Sequence, residues 1–224
     1  MAQPTDIPEL QALVRDRIQG AIAAKEALLR DERYQDQVIR VALRIAQALS
    51  SGGKVIFFGN GGSAADAQHL AAEFTGRCLK DRPALAAIAL SVNSSSITAI
   101  GNDYGFDSIF ARQLEALGKE GDVAIAISTS GNSPNVIRAL ETAKWNSLCT
   151  VSLTGKSGGK LKSIAEYAIC IPSEETTRIQ ECHILTGHLI CEAVEQTLFH
   201  RSKLGREANP RAVSEEQSLK AKQR

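Results

Sequence analysis

The chain has 224 residues, a length that suits one α/β domain with helical additions. Its 26 basic and 25 acidic residues nearly cancel, and its apolar fraction of 43% is ordinary for a globular protein. This balance argues against a strongly charged nucleic-acid-binding chain, and the lack of an apolar run of about 18 residues argues against a membrane-spanning one.

Two helices are predicted from Pro8 to Ser51, where apolar residues recur at helical spacing and a charged stretch near Arg30 to Arg33 interrupts them. We assign residues 1–52 to this N-terminal pair. The helices can pack on their own domain and on a partner subunit, and the pattern does not distinguish these arrangements.

Five short apolar runs rich in β-forming residues follow, each bounded by turn residues. They are KVIFFG after Gly53, AAIAL (86–90), VAIAIS (123–128), CTVSL (149–153) and YAICI (167–171). Helical patterns alternate with them at about 63–77, 93–100, 106–118, 133–146, 159–165 and 177–199. Because continuous apolar strands are buried on both faces, residues 53–200 are predicted to form an α/β fold: a doubly wound, parallel five-stranded sheet in a three-layer α-β-α sandwich.

The C-terminal segment, residues 201–224, differs in character from the rest. It carries seven Lys or Arg against three Glu and lacks an apolar period. We interpret it as a basic, disordered extension. A solvated terminus is favoured over a nucleic-acid or acidic-lipid contact.

The first glycine-rich turn, Gly59-Asn60-Gly61-Gly62-Ser63, leaves the first strand and opens a helix. Glycines permit positive φ and close approach of a ligand, and the helix N-terminus presents free N–H groups. A tight turn without a ligand stays open as an alternative. A dinucleotide is disfavoured because the second strand ends in Leu90-Ser91, without the acidic residue that would bind the ribose.

A resemblance to a nucleotide-binding P-loop at Gly155-Lys156-Ser157 fails because Thr150 replaces the required earlier glycine. No nucleotide cofactor is therefore expected. The second turn, Ser128-Thr129-Ser130-Gly131-Asn132-Ser133-Pro134, is more informative, since its hydroxyls, backbone N–H groups and a helix dipole converge on one place. Capping of the next helix by Ser133 explains only Ser133 and Pro134. A hydroxyl turn without lysine suits a sugar monophosphate.

The cysteines indicate the compartment. Five of them, without a CxxC pair, do not form an even disulfide framework. The N-terminus MAQPTDIPEL also lacks a secretory pattern. Together these features predict a cytoplasmic protein.

The two turns, together with Arg178-Ile179-Gln180-Glu181, resemble the sugar isomerase domain, and within it the phosphoheptose isomerases, over about residues 35–199. The resemblance implies an enzyme that isomerises sedoheptulose 7-phosphate to D-glycero-D-manno-heptose 7-phosphate through an enediol, for heptose and cell-surface polysaccharide (lipopolysaccharide) biosynthesis. It also implies a homotetramer with sites between subunits.

The resemblance further implies the roles of individual residues. Glu73 and His188 become the catalytic proton-transfer pair. The implied zinc ligands are His69, Glu73, Gln180 and His188. The implied substrate contacts, besides Glu73, are Asn60, Gly61, Gly62, Asn102, Asp103, Ser128, Thr129, Ser130, Ser133 and Gln180.

The chemistry is compatible with these residues, since moving a carbonyl between neighbouring carbons needs one base and one acid for the oxygens. His69 and Glu73 lie one helical turn apart and point within about 40° of each other. Gln180 and His188 lie about 12 Å apart along a helix axis. A large ligand or a neighbouring subunit's copy would therefore be needed to join them in one site.

One position departs from the family pattern, because Thr177 stands where some members carry an acid three residues before the glutamine. Glu174 and Glu175 are the available substitutes. Two rival functions remain: a non-catalytic replication-initiator-associating scaffold, and an isomerase of another sugar phosphate. The presence of both Glu73 and His188 favours an enzyme.

Overall fold

The computed structural model describes residues 6–200, so the predicted basic tail lies outside the described residues. The helices are α1 (Ile7–Arg30), α2 (Glu32–Ser50), α3 (Gly62–Thr75), α4 (Ser94–Tyr104), α5 (Ala111–Leu117), α6 (Pro134–Trp145), α7 (Leu161–Ile164) and α8 (Thr176–Phe199). The strands are β1 (Val55–Gly59), β2 (Ala87–Ala89), β3 (Val123–Ser128), β4 (Cys149–Thr154) and β5 (Tyr167–Cys170).

The five strands form one parallel sheet in the order β2-β1-β3-β4-β5. This confirms the predicted doubly wound sandwich. The side chains of each strand alternate between two buried layers. Val55 and Phe57 pack under α2, α3 and α8, whereas Ile56 and Phe58 pack under the helices on the opposite face.

One predicted helix is divided in the structure. The segment 106–118 begins as a 3-10 turn at Phe106–Ser108 and continues as α5. Helix α4 runs four residues beyond the predicted end and stops at Gly105, whose φ of +82° ends the helix. The apolar period did not predict this extension because Asn102, Asp103 and Tyr104 are exposed and add nothing to the buried face of the helix.

Helices α3 and α8 lie side by side and run in the same direction. Their close approach depends on Gly187 of α8, because a Cβ atom there would collide with the side chain of Leu70 on α3. The neighbouring residues His69 and His188 therefore face each other across the contact.

The loop after α3 is held to α8 by a buried ion pair. Glu195 is 1% exposed and accepts hydrogen bonds from the backbone N–H groups of residues 78–80 and from Arg82 Nε at 2.9 Å. Arg82 in turn donates to the carbonyl oxygens of Glu73 and Phe74, at 2.7 Å each. We call this arrangement the Arg82–Glu195 clamp. Its effect is to fix the C-terminal end of α3.

Helix α1 keeps most of its apolar side chains on the surface. Only Ala24 and Leu28 are buried, while a row at helical spacing is about half exposed or more: Ile7, Leu10, Val14, Ile18 and Ile22. Helix α2, by contrast, contributes seven buried residues to the core. Among residues 6–200, no helix is both long enough and apolar enough to span a bilayer.

Candidate functional site

The two glycine- and serine-rich turns lie next to each other at the carboxyl edge of the sheet. Strand β1 leads to β2 on one side, and β3 leads to β4 on the other, so the order reverses between β1 and β3. Gly59 and Ile127 are paired across these strands, which brings the turns that follow them together. Ligands of doubly wound sheets bind at such a switch point.

The hydroxyl turn is open towards this crevice. Ser128 is buried at the end of β3, and its Oγ lies 3.2 Å from Ser133 Oγ. Ser133 precedes α6, yet its side chain makes no capping hydrogen bond to that helix. Capping therefore does not account for Ser133. The first N–H groups of α6 and these hydroxyls can instead receive an anion.

The segment after β4 supports the hydroxyl turn from behind. Gly131 has a φ of +64°, and a Cβ atom there would collide with the backbone of Gly158 and Gly159. The N–H of Lys160 donates to Asn132 Oδ1 at 3.0 Å. The backbone of residues 158–160, which follows the segment that resembled a P-loop, therefore packs against the hydroxyl turn and supports it.

A titratable cluster lies between α3 and α8. His69 Nε2 lies 2.9 Å from His188 Nε2 and 3.2 Å from Glu73 Oε1. The side chain of His69 is 50% exposed and that of Glu73 is 20% exposed, so solvent or a ligand can reach the cluster. We call these three residues the His–Glu–His cluster.

The His–Glu–His cluster fits a metal ion. Its ligand atoms all lie within 4.8 Å of one another. Tetrahedral zinc with bonds of about 2.0–2.2 Å places its ligand atoms about 3.3 Å apart. The distances from His69 Nε2 to His188 Nε2 and to Glu73 Oε1 are close to that value, and imidazole and carboxylate are both zinc ligands.

Gln180 lies at the other end of the α3–α8 contact. Its side-chain amide packs so closely over Gly62 that a Cβ atom at Gly62 would collide with it. Gln180 therefore borders the first turn, and His188 borders the His–Glu–His cluster. Because α8 runs along α3, Gln180 and His188 both face α3, Gln180 at its first turn and His188 further along.

The acids near Thr177 have other partners. Glu175 Oε2 lies 3.1 Å from Arg17 Nη1 of α1, and Glu174 Oε1 lies 3.6 Å from Lys156 Nζ. Within this chain, they pair with these exposed bases.

Asn102 and Asp103 lie at the C-terminal end of α4. Both are exposed in the last turn of α4, where Asn102 Nδ2 donates to Asp103 Oδ1 at 2.8 Å. In the part of the chain that is described, no hydrogen bond links them to the other predicted contacts.

A further histidine near the site, His183, lies in the interior of the domain. His183 is fully buried, and its Nε2 lies 3.1 Å from the carbonyl oxygen of Thr154. Burial lowers the pKa of His183 to about 4, although that hydrogen bond acts in the opposite direction. His183 is therefore a neutral core residue.

Asp66 was missed, although its spacing from His69 places both on one face of α3. Its Oδ2 is buried without a hydrogen-bond partner among the described residues. Burial raises the pKa of Asp66, while the nearby His69 and His188 act to lower it. Asn135 was also missed, because its role depends on a contact with Asn60 at a separation of 75 residues.

Comparison with known proteins is consistent with this arrangement. A family profile described as the SIS domain matches residues 22–155. A phosphoheptose isomerase of Aquifex aeolicus is 57% identical over 171 residues, covering 76% of this chain and 90% of the relative. One from Aneurinibacillus thermoaerophilus is 50% identical over 186 residues, covering 83% and 94%. The solved phosphoheptose isomerase of Neisseria gonorrhoeae is 42% identical with a TM-score of 0.79, covering 84% of this chain and 99% of that one.

Proposed function

Because this chain belongs to the SIS domain family and, within it, to the phosphoheptose isomerases, we propose that it converts sedoheptulose 7-phosphate to D-glycero-D-manno-heptose 7-phosphate. The chain is an aldose-ketose isomerase. The observation that supports the choice of substrate is the distance between the two parts of the site, the phosphate turns and the His–Glu–His cluster. Gly62 at the phosphate turns and His69 of the His–Glu–His cluster are seven residues apart on α3, or about 10 Å. That distance is on the scale of an extended seven-carbon sugar phosphate.

The proposed binding mode places the phosphate at the helix N-terminus. Ser128, Thr129, Ser130 and Ser133 donate hydroxyl hydrogen bonds, and the first N–H groups of α6 donate from the backbone. Asn60, Gly61 and Gly62 border the same group. Gln180 contacts the sugar between the phosphate and the reacting carbons.

The proposed proton transfers involve Glu73 and His188. The Glu73 carboxylate removes a proton from C1 of the ketose as the C2 carbonyl oxygen gains one, which gives an enediol. The C1 hydroxyl then loses its proton to form the aldehyde, and Glu73 returns a proton to C2. His188 exchanges the protons of the two oxygens. One proton thus moves from C1 to C2 and one from O1 to O2.

We further propose that His69, Glu73 and His188 would hold zinc, and that Glu73 combines this role with proton transfer. Gln180 of the same chain lies over Gly62, so it would join the ligand set only through a neighbouring subunit's copy. When bound, zinc would supply Lewis-acid polarisation of the sugar oxygens. The support is the spacing of the His–Glu–His cluster. The contacts of His69 with Glu73 and with His188 hold the carboxylate and the imidazole next to each other.

We propose a cytoplasmic homotetramer with sites between subunits, acting in heptose and lipopolysaccharide biosynthesis. The exposed apolar row on α1 is a surface suited to another copy of the chain. Asn102 and Asp103 would then contact substrate across a subunit boundary. In this arrangement residues 1–52 pack on both the domain and its partners, and residues 53–200 form the isomerase domain. Light scattering of the wild-type chain and of Ile18→Asp tests this, because the charged variant should dissociate.

A side-by-side assay of heptulose, pentulose and hexulose phosphates tests the substrate. The heptulose 7-phosphate should have the highest kcat/KM. A preference for a pentulose phosphate would contradict the substrate while leaving isomerase chemistry in place. No isomerisation of any of these sugars would favour the scaffold function instead.

A further inference from the structure

We propose that Asn135 is a positioning residue that holds Asn60 in place and joins the two turns into a single phosphate receptor. The inference rests on the proposed function, because it concerns the phosphate end of that same site. Asn135 itself is not among the proposed substrate contacts. It acts on the ligand through Asn60.

The first support is a reciprocal pair of hydrogen bonds. Asn60 Nδ2 donates to Asn135 Oδ1 at 2.8 Å, and Asn135 Nδ2 donates to Asn60 Oδ1 at 2.9 Å. Both lengths are at the optimum for N–H···O bonds. Two parallel bonds fix the plane of each carboxamide as well as its distance, which one bond cannot do.

The second support is where the pair sits. Asn60 directly follows β1 in the first turn, and Asn135 is the second residue of α6, directly after the hydroxyl turn. The pair therefore connects the two segments on either side of the strand-order reversal. Strands β1 and β3 are also paired through their backbones. Among residues 6–200, the Asn60–Asn135 pair adds a side-chain connection between the segments that follow these strands.

The third support is burial. Asn135 is 1% exposed, whereas Asn60 is partly exposed towards the crevice. A buried amide needs partners, and Asn60 provides both a donor and an acceptor. Asn135 is thus the fixed member of the pair, and Asn60 is the member that can also reach a ligand.

The reciprocal pair requires a carboxamide at position 135, because one group must donate a hydrogen bond to Asn60 and also accept one from it. Aspartate has the same shape but only accepts hydrogen bonds, so it would face Asn60 Oδ1 with a second acceptor. Alanine would leave Asn60 free to rotate. Alanine removes both hydrogen bonds, and aspartate keeps only the one that it accepts from Asn60 Nδ2. In either case the plane of the Asn60 carboxamide is no longer fixed, and the phosphate meets fewer donors that are already in position.

The test measures binding of inorganic phosphate to full-length protein by calorimetry, together with kcat and KM for the sugar phosphate. Asn135→Ala and Asn135→Asp should each weaken phosphate binding by about 10-fold, the scale of one lost hydrogen bond to a charged group. KM should rise by a similar factor, and kcat should change by less than about 3-fold. Asn146→Ala, at the opposite end of α6, is the matched control and should change neither.

A double-variant comparison separates positioning from general destabilisation. If Asn135 acts through Asn60, the combined Asn60→Ala/Asn135→Ala variant should bind phosphate about as weakly as Asn60→Ala alone. Multiplying losses would overturn the proposal, and so would unchanged phosphate binding in Asn135→Asp. Because phosphate binding is measured without turnover, the result is independent of whether the heptulose phosphate is the true substrate.

Discussion

Two clusters of charged side chains connect α3 to α8, and they differ in how completely their polar atoms are satisfied. In the Arg82–Glu195 clamp both side chains are 2% exposed, and the Glu195 carboxylate accepts a hydrogen bond from each of four donors. In the His–Glu–His cluster, ring and carboxylate atoms converge within reach of solvent and keep capacity for a ligand. Satisfied charges of this kind stabilise the fold, whereas convergent, accessible ones are free to do chemistry.

The largest expected effect comes from removing the proposed base in the accessible cluster. Glu73→Gln should lower kcat by about a thousandfold, because general acid–base catalysis contributes roughly 10²–10⁴. Stability should change little, since glutamine keeps the shape of the glutamate side chain. Steady-state kinetics and urea unfolding check both parts. Glu192→Gln, an exposed acid on α8, is the control; an active Glu73→Gln variant would remove Glu73 from the mechanism.

For the Arg82–Glu195 clamp we expect a loss of stability. Arg82→Met leaves Glu195 as an uncompensated buried charge, which should cost about 3–5 kcal/mol of unfolding free energy. Urea unfolding measures this cost. Arg30→Met breaks the exposed pair with Glu26 and should cost less than about 0.5 kcal/mol. Equal losses in the two arginine variants would show that burial does not distinguish the clamp.

The second histidine of α8, His183, extends the comparison to pH. The folded-state pKa of His183 is lowered to about 4 from the ordinary 6.5, so the unfolded chain takes up a proton first as the pH falls. Stability should therefore be lost between pH 6.5 and 4, by about 3 kcal/mol at about 1.4 kcal/mol per pKa unit. Above pH 6.5 both states are neutral, and the contribution is absent.

Unfolding measured across this range in wild type and His183→Gln checks the prediction, because the variant should lack this slope. His200→Gln, at an exposed position, should keep it. The clamp contributes in a different window. Burial raises the pKa of Glu195, but its hydrogen bonds outweigh burial and lower the pKa below 4.5. The stability contributed by Glu195 is thus present above that value and is lost as the pH falls through the folded-state pKa.

The smallest of the four effects concerns metal removal. Zinc at about 100 times its Kd should stabilise the chain by about 2.7 kcal/mol, and a chelator should reverse this as a lower Tm. His188→Ala should abolish the response, and His183→Gln should retain it. A Tm of the wild type that is insensitive to both zinc and chelator would contradict the proposed ligand set.

Local features of the site could be predicted from the sequence, while contacts between distant segments could not. The five strands are short apolar runs bounded by turn residues, so their positions followed from composition. The hydroxyl turn and the His69–Glu73 spacing are also contained in short stretches of chain. Asn135 and Glu195 have no comparable local signal, because each takes its role from a partner 75 or 113 residues away.

The extension of α4 beyond residue 100 is another feature that the sequence did not predict. Apolar period ends near residue 100, but the helix continues because Gly105, and not a change of pattern, stops it. Asn102 and Asp103 were predicted only as substrate contacts that the resemblance implies. Their place on a helix end could not be derived from spacing alone.

The tight contact of Gly187 with Leu70 has a consequence for how such sequences diverge. Gly187 adjoins His188, and Leu70 adjoins His69, so a Cβ atom at position 187 would collide with Leu70 directly beside the two imidazoles. A descendant chain that acquired alanine at this position would retain all of its signature motifs while its two helices were wedged apart. Loss of activity in a lineage can therefore begin at a position that no motif contains.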